Sequence, residues 1–194
     1  ILSAFANQGA NVFLTRDKNK ILDSDGVVLP GVGAFAHGMD GLNKYGMVEI
    51  IKEYVESNKP FMGICLGMQL LFEESEEFGV TVGLGLIPGR VIKLPTKDSQ
   101  NEKLPHVSWN ELNSGKIQWS DTVLESIKVG SDMYFVHSFV VQPNDEDNVL
   151  STTEYSGYNF CSSVKKDNIY GCQFHPEKSG KTGLKIVKNF IRMC

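Results

Sequence analysis

Nothing in the 194 residues approaches the ~20 apolar positions that a membrane-spanning helix needs. No helical span is expected. Cysteine is scarce: there are four, none in a C-x-x-C pair, which argues against a structural zinc site. An excess of positive charge is also lacking. Lys and Arg total 19 against 23 Asp and Glu, a net charge of −4, so nucleic acid is not expected as the main partner. The chain shows no internal repeat, no low-complexity tract and no linker long enough to divide it. It does not begin with Met. Its first amphipathic segment (Ile1, Leu2, Phe5 and Ala6, ending at Gly9) opens with no strand before it, so a further native strand is expected to precede it. What is present, 41% hydrophobic residues and a mean hydropathy of −0.16, fits one globular domain over residues 1–194.

The most telling stretch runs from Pro60 to Phe72. Residues 61–64 are short and apolar, as a buried strand should be, and residues 68–72 begin an apolar stripe read as helix. Cys65 stands between them with Gly63 and Gly67 two residues away on either side. A nucleophile on a tight strand-to-helix turn has this form, with Cys in place of Ser. The amide of Leu66 would then be placed to bind an oxyanion, and a helix start favours thiolate over thiol. Far downstream, residues 169–174 read as a strand ending at His175, where Pro176 stops regular pairing. Glu177 can reach back to the imidazole. Cysteine, histidine and carboxylate in these places make a nucleophile, a base and an orienter. The plainer alternative is a core thiol beside a common loop string; the two motifs together favour catalysis. Cys161, Cys172 and Cys194 have no such context and read as structural thiols. A catalytic thiol suits a reducing compartment, so a cytoplasmic location is expected.

Between these motifs, residues 11–15 and 26–29 read as buried strands and 39–45 and 48–57 as helices. Glu73, Glu74, Glu76 and Glu77 read as a solvated helix end rather than a metal site, because no His or Asp stands beside them. Residues 90–94, 106–112, 133–141, 149–155 and 158–164 read as strands separated by turn residues; 122–127 reads as a short helix and 183–192 as the final one. Early βα alternation followed by antiparallel strands predicts an α/β fold. Its form should be an open, mostly parallel central sheet flanked by helices, with a small antiparallel β appendage.

The segment from Phe61 to Gln69 and the segment from Gly171 to Glu177 resemble the nucleophile and His-Pro-Glu motifs of the class I (triad) glutamine amidotransferases. Three further segments are similar to those of one branch, the glutaminase subunits of imidazole glycerol phosphate synthase. They are Pro30-Gly31-Val32-Gly33-Ala34-Phe35, Leu104-Pro105-His106-Val107-Ser108-Trp109-Asn110 and Tyr134-Phe135-Val136-His137-Ser138-Phe139. Two departures stand out: the family's first strand with its Asp-Tyr-Gly-x-Gly-Asn loop is absent, and Ser108 occupies a position where the family has Gly.

The resemblance implies hydrolysis of L-glutamine by Cys65, His175 and Glu177, with no metal and no cofactor. It places the oxyanion between Leu66 and the Gly31-Val32 peptide, whose reorientation would switch the activity. An ordinary turn that never moves, or a weak phosphate cradle, are the alternatives there. It assigns Gly33, Gln69, Ser138 and Phe139 to the glutamine pocket, although spacing alone would equally put Gln69 on a solvent face. It implies a (β/α)₈-barrel cyclase as partner in a heterodimer that channels ammonia to imidazole glycerol phosphate formation in histidine biosynthesis. Lys178, Tyr134, His106 and Trp109 are placed at that interface; core aromatics and a plain surface lysine are the alternatives. The rival readings are a paralogous glutaminase feeding sugar amidination for surface polysaccharide or pyridoxal phosphate assembly, a stand-alone cysteine hydrolase, and a non-enzymatic subunit.

Overall fold

A computed structural model describes residues 1–95 and 104–194. Helices α1 (Leu2–Asn7) and α2 (Lys18–Asp23) precede strand β1 (Val27–Gly31). Helices α3 (Phe35–Lys44) and α4 (Met47–Glu56) lead to β2 (Phe61–Cys65), and the one-turn α5 (Leu66–Gln69) follows directly. Next come β3 (Phe72–Ser75), β4 (Thr81–Val82), β5 (Ile87–Lys93), β6 (His106–Ser114), β7 (Ser131–His137) and β8 (Phe139–Pro143). Strands β9 (Val149–Tyr155), β10 (Tyr158–Lys166) and β11 (Ile169–Cys172) lead through a 3-10 turn at Pro176–Lys178 to α6 (Gly180–Met193).

Among the described residues the sheet order is β1-β2-β11-β10-β8-β5-β3-β4. Strand β2 is buried along its whole length and lies parallel between β1 and β11. Its side chains alternate as a period of two requires. Met62 and Ile64 enter a core shared with Phe135, Phe174 and Phe190, while Phe61 enters a second core with Phe35, Tyr54 and Phe72. Helix α6 contributes to the first core and α3 and α4 to the second, so both faces of β2 are covered. Strands β10, β8 and β5 continue the sheet antiparallel, and β6, β7 and β9 form the antiparallel appendage. The α/β architecture with a central sheet and a small antiparallel appendage is the expected one. Its pairing is mixed, and the parallel portion is the part that carries Cys65.

Several elements differ from the sequence reading. Residues 11–15 form no strand: β1 pairs with β2 on one side only, no described strand lies beside 11–15, and Leu14 is 81% exposed. Residues 68–72 are not a continuing helix. Leu70, Leu71 and Phe72 are all buried, and an apolar run of that length serves a buried strand as well as a helix. Phe72 opens β3 against β5. The acidic cluster is therefore not a solvated helix end. Glu73 accepts the Gly89 amide at 2.8 Å, Glu77 accepts the Phe35 amide at 2.7 Å, and Glu76 pairs with Arg90 at 3.2 Å. Residues 122–127 are turns rather than a helix, with Asp121 and Ser126 at φ 56° and 58°, values a right-handed helix does not accept. The long strand expected at 133–141 breaks at Ser138, and its halves join different partners, β7 with β6 and β8 with β5. Helix α2 was not anticipated, although Asp17 caps it by accepting the amides of Asn19 and Lys20.

Candidate active site

Strand β2 ends at Cys65 and α5 starts at the next residue. Cys65 makes the corner itself, with φ 56° and ψ −114°. This is a strained conformation for a residue with a Cβ. The flanking glycines serve close approach rather than unusual dihedrals. A Cβ on Gly63 would lie 2.5 Å from the Gly67 carbonyl oxygen, and one on Gly67 would lie 1.8 Å from that of Leu29. The parallel register places Gly31 beside Cys65. Leu66 is the first residue of α5, so its N–H has no carbonyl partner inside the helix. Cys65 is 7% exposed.

The neighbouring strand β11 ends at Cys172, and His175 follows three residues later. The His175 amide donates to the Tyr134 carbonyl at 3.0 Å, and the Ser179 hydroxyl donates to the His175 carbonyl at 2.7 Å. These bonds hold the His175 backbone. Its Nδ1 lies 2.8 Å from Glu177 Oε1. Its Nε2, also buried, makes no hydrogen bond to any described residue. Burial pulls the His175 pKa down, but the Cys65 sulfur and the Glu177 carboxylate outweigh it and raise it to about 9. Burial likewise pushes Glu177 up, and His175 with the local backbone brings it below its usual value. The imidazole is thus made more basic by its place between a carboxylate and a sulfur.

Cys65, Leu66 and His175 open onto one cavity of about 250 Å³. Val32, Gly33, Gln69, Ser138 and Phe139 line it too, so the residues expected to hold substrate share this cavity with Cys65. Gly33 adopts φ 102°, which glycine accepts without cost, and Val32 at its side is largely exposed. Glu77, His137 and Pro105 are further walls that the sequence reading assigned no such role. Glu77 arrives through the β3–β4 hairpin, and Phe35 N–H fixes its carboxylate. His137 donates from Nδ1 to the Phe139 carbonyl at 2.9 Å, and its Nε2 lies 3.0 Å from His106 Nδ1. Burial and the neighbouring His106 push His137 down to about 3. It is neutral. Among the described residues no group of three or more His, Cys, Asp and Glu could hold a metal ion.

Of the four residues placed at a partner interface, three share one surface. The Trp109 and Tyr134 rings are 5.9 Å apart, and Lys178 Nζ lies 5.8 Å from the Tyr134 ring. Trp109 is 52% exposed and Val107 beside it equally so. His106 does not belong with them. It is 0% exposed, stacked on Tyr155 and Phe135, and bonded to His137. Alternation along β6 turns its side chain inward where those of Val107 and Trp109 turn outward. Ser108 bonds to His106 and Asn110 within that same polar cluster.

The description "Glutamine amidotransferase class-I" belongs to a family model that matches residues 1–194. This chain is a class I glutamine amidotransferase. Within that family it is 45% identical to imidazole glycerol phosphate synthase subunit HisH 1 of Legionella pneumophila strain Lens, over all of this chain and 92% of that protein. It is 48% identical to subunit HisH of Caldanaerobacter subterraneus subsp. tengcongensis, over 95% of this chain and 87% of that one, and 46% identical to HisH of Aquifex aeolicus, over 93% and 84%. The chain therefore belongs among the HisH-like amidotransferases. A solved glutamine amidotransferase superposes with a TM-score of 0.73 over 98% of this chain and 90% of that one at 16% identity. PurLQS of Thermotoga maritima superposes with 0.63 over 88% and 80% at 20% identity. At those identities the likeness concerns the amidotransferase fold alone.

Proposed function

We propose that Cys65, His175 and Glu177 carry out the glutaminase reaction of a HisH subunit of imidazole glycerol phosphate synthase, in histidine biosynthesis. One observation carries this reading: a strained, buried cysteine shares a cavity with a histidine whose Nδ1 is held 2.8 Å from Glu177 and whose Nε2 is left for the reaction.

The Cys65 thiolate attacks the side-chain amide carbon of glutamine. The oxyanion that forms is met by the Leu66 N–H and by a backbone amide at Gly31-Val32. Such a donor is worth about 3 kcal/mol in the transition state. His175, having taken the Cys65 thiol proton, gives it from Nε2 to the departing nitrogen, and ammonia leaves a γ-glutamyl thioester on Cys65. Water then attacks the thioester, His175 takes its proton, and glutamate departs as the thiolate is restored. Glu177 holds the imidazole orientation and stabilises its cation throughout. These steps are acyl and proton transfers and draw on no cofactor. Gly33, Gln69, Ser138 and Phe139 hold the substrate, and the Glu77 carboxylate receives its α-ammonium group.

The partner in this reading is a (β/α)₈-barrel cyclase that forms a heterodimer through Trp109, Tyr134 and Lys178 and receives ammonia there. That surface connects to the base through main chain: Tyr134 N–H donates to Ser179 Oγ, and the Tyr134 carbonyl takes the His175 amide. Docking can thereby act on the triad. Free ammonia would be protonated and lost, so transfer within a complex suits the product. The reaction and its reduced thiol fit the cytoplasm. Among the described residues no helix is long and apolar enough to cross a membrane.

The test is glutamate release from glutamine by the protein alone, with the cyclase, and with cyclase plus its phosphoribulosyl ligand, using Cys65→Ala as the blank. Strong activation by the loaded cyclase supports the reading. Full activity alone removes the gating, and silence in all three with an intact reactive Cys65 assigns the chain to another synthase.

A further inference from the structure

The mechanism leaves without a task a fully buried polar side chain that reaches the nucleophile. Gln173 is 0% exposed and lies two residues before the base. Its main-chain amide donates to the Ser162 carbonyl at 2.9 Å, which fixes its backbone. Its side-chain orientation follows from its neighbours. Gln69 contacts the Phe139 main-chain carbonyl at 3.0 Å, and a carbonyl only accepts, so that end of Gln69 is its NH₂ group. The same Nε2 lies 3.0 Å from one end of the Gln173 amide. With its other N–H directed there, the facing atom must be the Gln173 carbonyl oxygen. The NH₂ end of Gln173 therefore faces the nucleophile, Nε2 at 3.9 Å from Cys65 Sγ.

We infer that Gln173 is a further catalytic residue: its Nε2–H stabilises the Cys65 thiolate, and Gln69 holds it in that orientation from the wall of the substrate cavity. The inference rests on Cys65 being the nucleophile. On one side the sulfur meets the Val136 carbonyl at 3.9 Å, which favours the thiol because only S–H can donate to it. On the other it meets the Gln173 amide, which favours the anion because only a lone pair can accept from it. Gln173 offsets Val136. The ionisable groups sharing the cavity are His175, which the sulfur and Glu177 make more basic, Glu77, and His137, which burial pushes away from protonation. None of them is removed by changing Gln173. With both Nε2 hydrogens of Gln69 committed, its Oε1 is the end available to substrate, so bound glutamine also stiffens the chain of contacts that ends at the sulfur.

The experiment is the pH profile of Cys65 alkylation by iodoacetamide in the full chain, read by peptide mass spectrometry so that the exposed Cys194 does not contribute. In Gln173→Met, similar in length and lacking the donor, the alkylation midpoint is expected to rise by about one pH unit. Glutaminase kcat should fall about tenfold with a smaller change in KM. Gln69→Met, which leaves Gln173 in place but unoriented, should move the midpoint the same way by less. An unchanged midpoint in Gln173→Met overturns the inference while leaving Cys65 as nucleophile. A Cys65 that is unreactive at every pH in the unaltered protein overturns the underlying assignment instead. Should Gln173→Met fail to fold, the side-chain ¹⁵N amide resonance of Gln173 in the unaltered protein decides. It should titrate with the Cys65 midpoint and stay still in Cys65→Ala; a resonance indifferent to pH contradicts the inference.

Discussion

Glu177 Oε1 sits 2.8 Å from His175 Nδ1, and the opposite ring nitrogen, equally buried, makes no hydrogen bond to any described residue. One nitrogen is committed to orientation, and in the proposed mechanism the other serves the chemistry. The carboxylate needs only the two-residue reach across Pro176, because the 3-10 turn at Pro176–Lys178 folds it back over the ring. Several measurable consequences come from this pair and its surroundings.

Glu177→Gln keeps the shape of the side chain and removes its charge. The imidazole pKa, about 9 with the sulfur and the carboxylate as neighbours, then falls. The alkaline limb of kcat/KM should move to lower pH, because His175 loses the proton that ammonia needs to depart. The rate should drop by about 10²–10⁴, the range that general acid–base groups supply. A drop with no movement of the limb would mean that Glu177 acts only by shaping the turn.

Glu77→Gln separates binding from chemistry. An amide oxygen can still accept the Phe35 N–H, so the start of α3 keeps its partner. The charge offered to the α-ammonium group is lost. Steady-state kinetics should show KM for glutamine up by about tenfold, with kcat changed much less. Equal losses in kcat and kcat/KM would remove Glu77 from substrate binding.

Trp109 and His106 lie three residues apart on β6 and should respond in opposite ways. Trp109→Ala removes a half-exposed ring and should change chain stability by under about 1 kcal/mol while weakening binding to the cyclase by about 2 kcal/mol, roughly thirtyfold. His106→Ala removes a buried ring from between Tyr155 and Phe135 and leaves His137 without its partner, so it should cost about 2–4 kcal/mol of stability. Thermal melts together with titration calorimetry on both variants check this. A stable His106→Ala with lost binding would return His106 to the interface.

Stability should peak near pH 6.5. His137 is pushed down to about 3 by burial and by His106, so between there and its unfolded value near 6.5 the unfolded chain binds more protons and stability falls on acidification. His175 goes the other way. Its folded pKa of about 9 gives stability that is complete below about 6.5 and is lost as pH rises through 9. Melting temperatures across pH 5–9 should form a dome, and His175→Asn should flatten its alkaline side. An alkaline side unaltered by that substitution would contradict the His175–Glu177 ion pair.

What the sequence made legible was local chemistry. Gly63, Cys65 and Gly67 specify the elbow because the backbone passes within contact distance there, and His175 with Glu177 needs only one turn to meet. The residues gathered by long-range packing were not legible. Glu77 read as part of a solvated cluster because its place in the cavity depends on a β3–β4 hairpin that a helical reading of residues 68–72 concealed. Gln173 stood inside a recognised motif, yet its role depends on Gln69, 104 positions away. His106 was expected at the interface together with Trp109, but strand alternation turns its side chain inward where those of Val107 and Trp109 turn outward. The break at Ser138 left no sign in an apolar run that suits one strand as well as two. The turns at 122–127 depend on positive φ at Asp121 and Ser126, which composition does not announce.

The central claim is that glutamine passes through a covalent γ-glutamyl thioester on Cys65. The most direct measurement is intact-protein and peptide mass spectrometry after rapid acid quench of the enzyme, with its cyclase, turning over glutamine. The account predicts a γ-glutamyl adduct on the Cys65 peptide that decays to glutamate and is absent from Cys65→Ala. An adduct on another cysteine, or full glutamate production by Cys65→Ala, would contradict it.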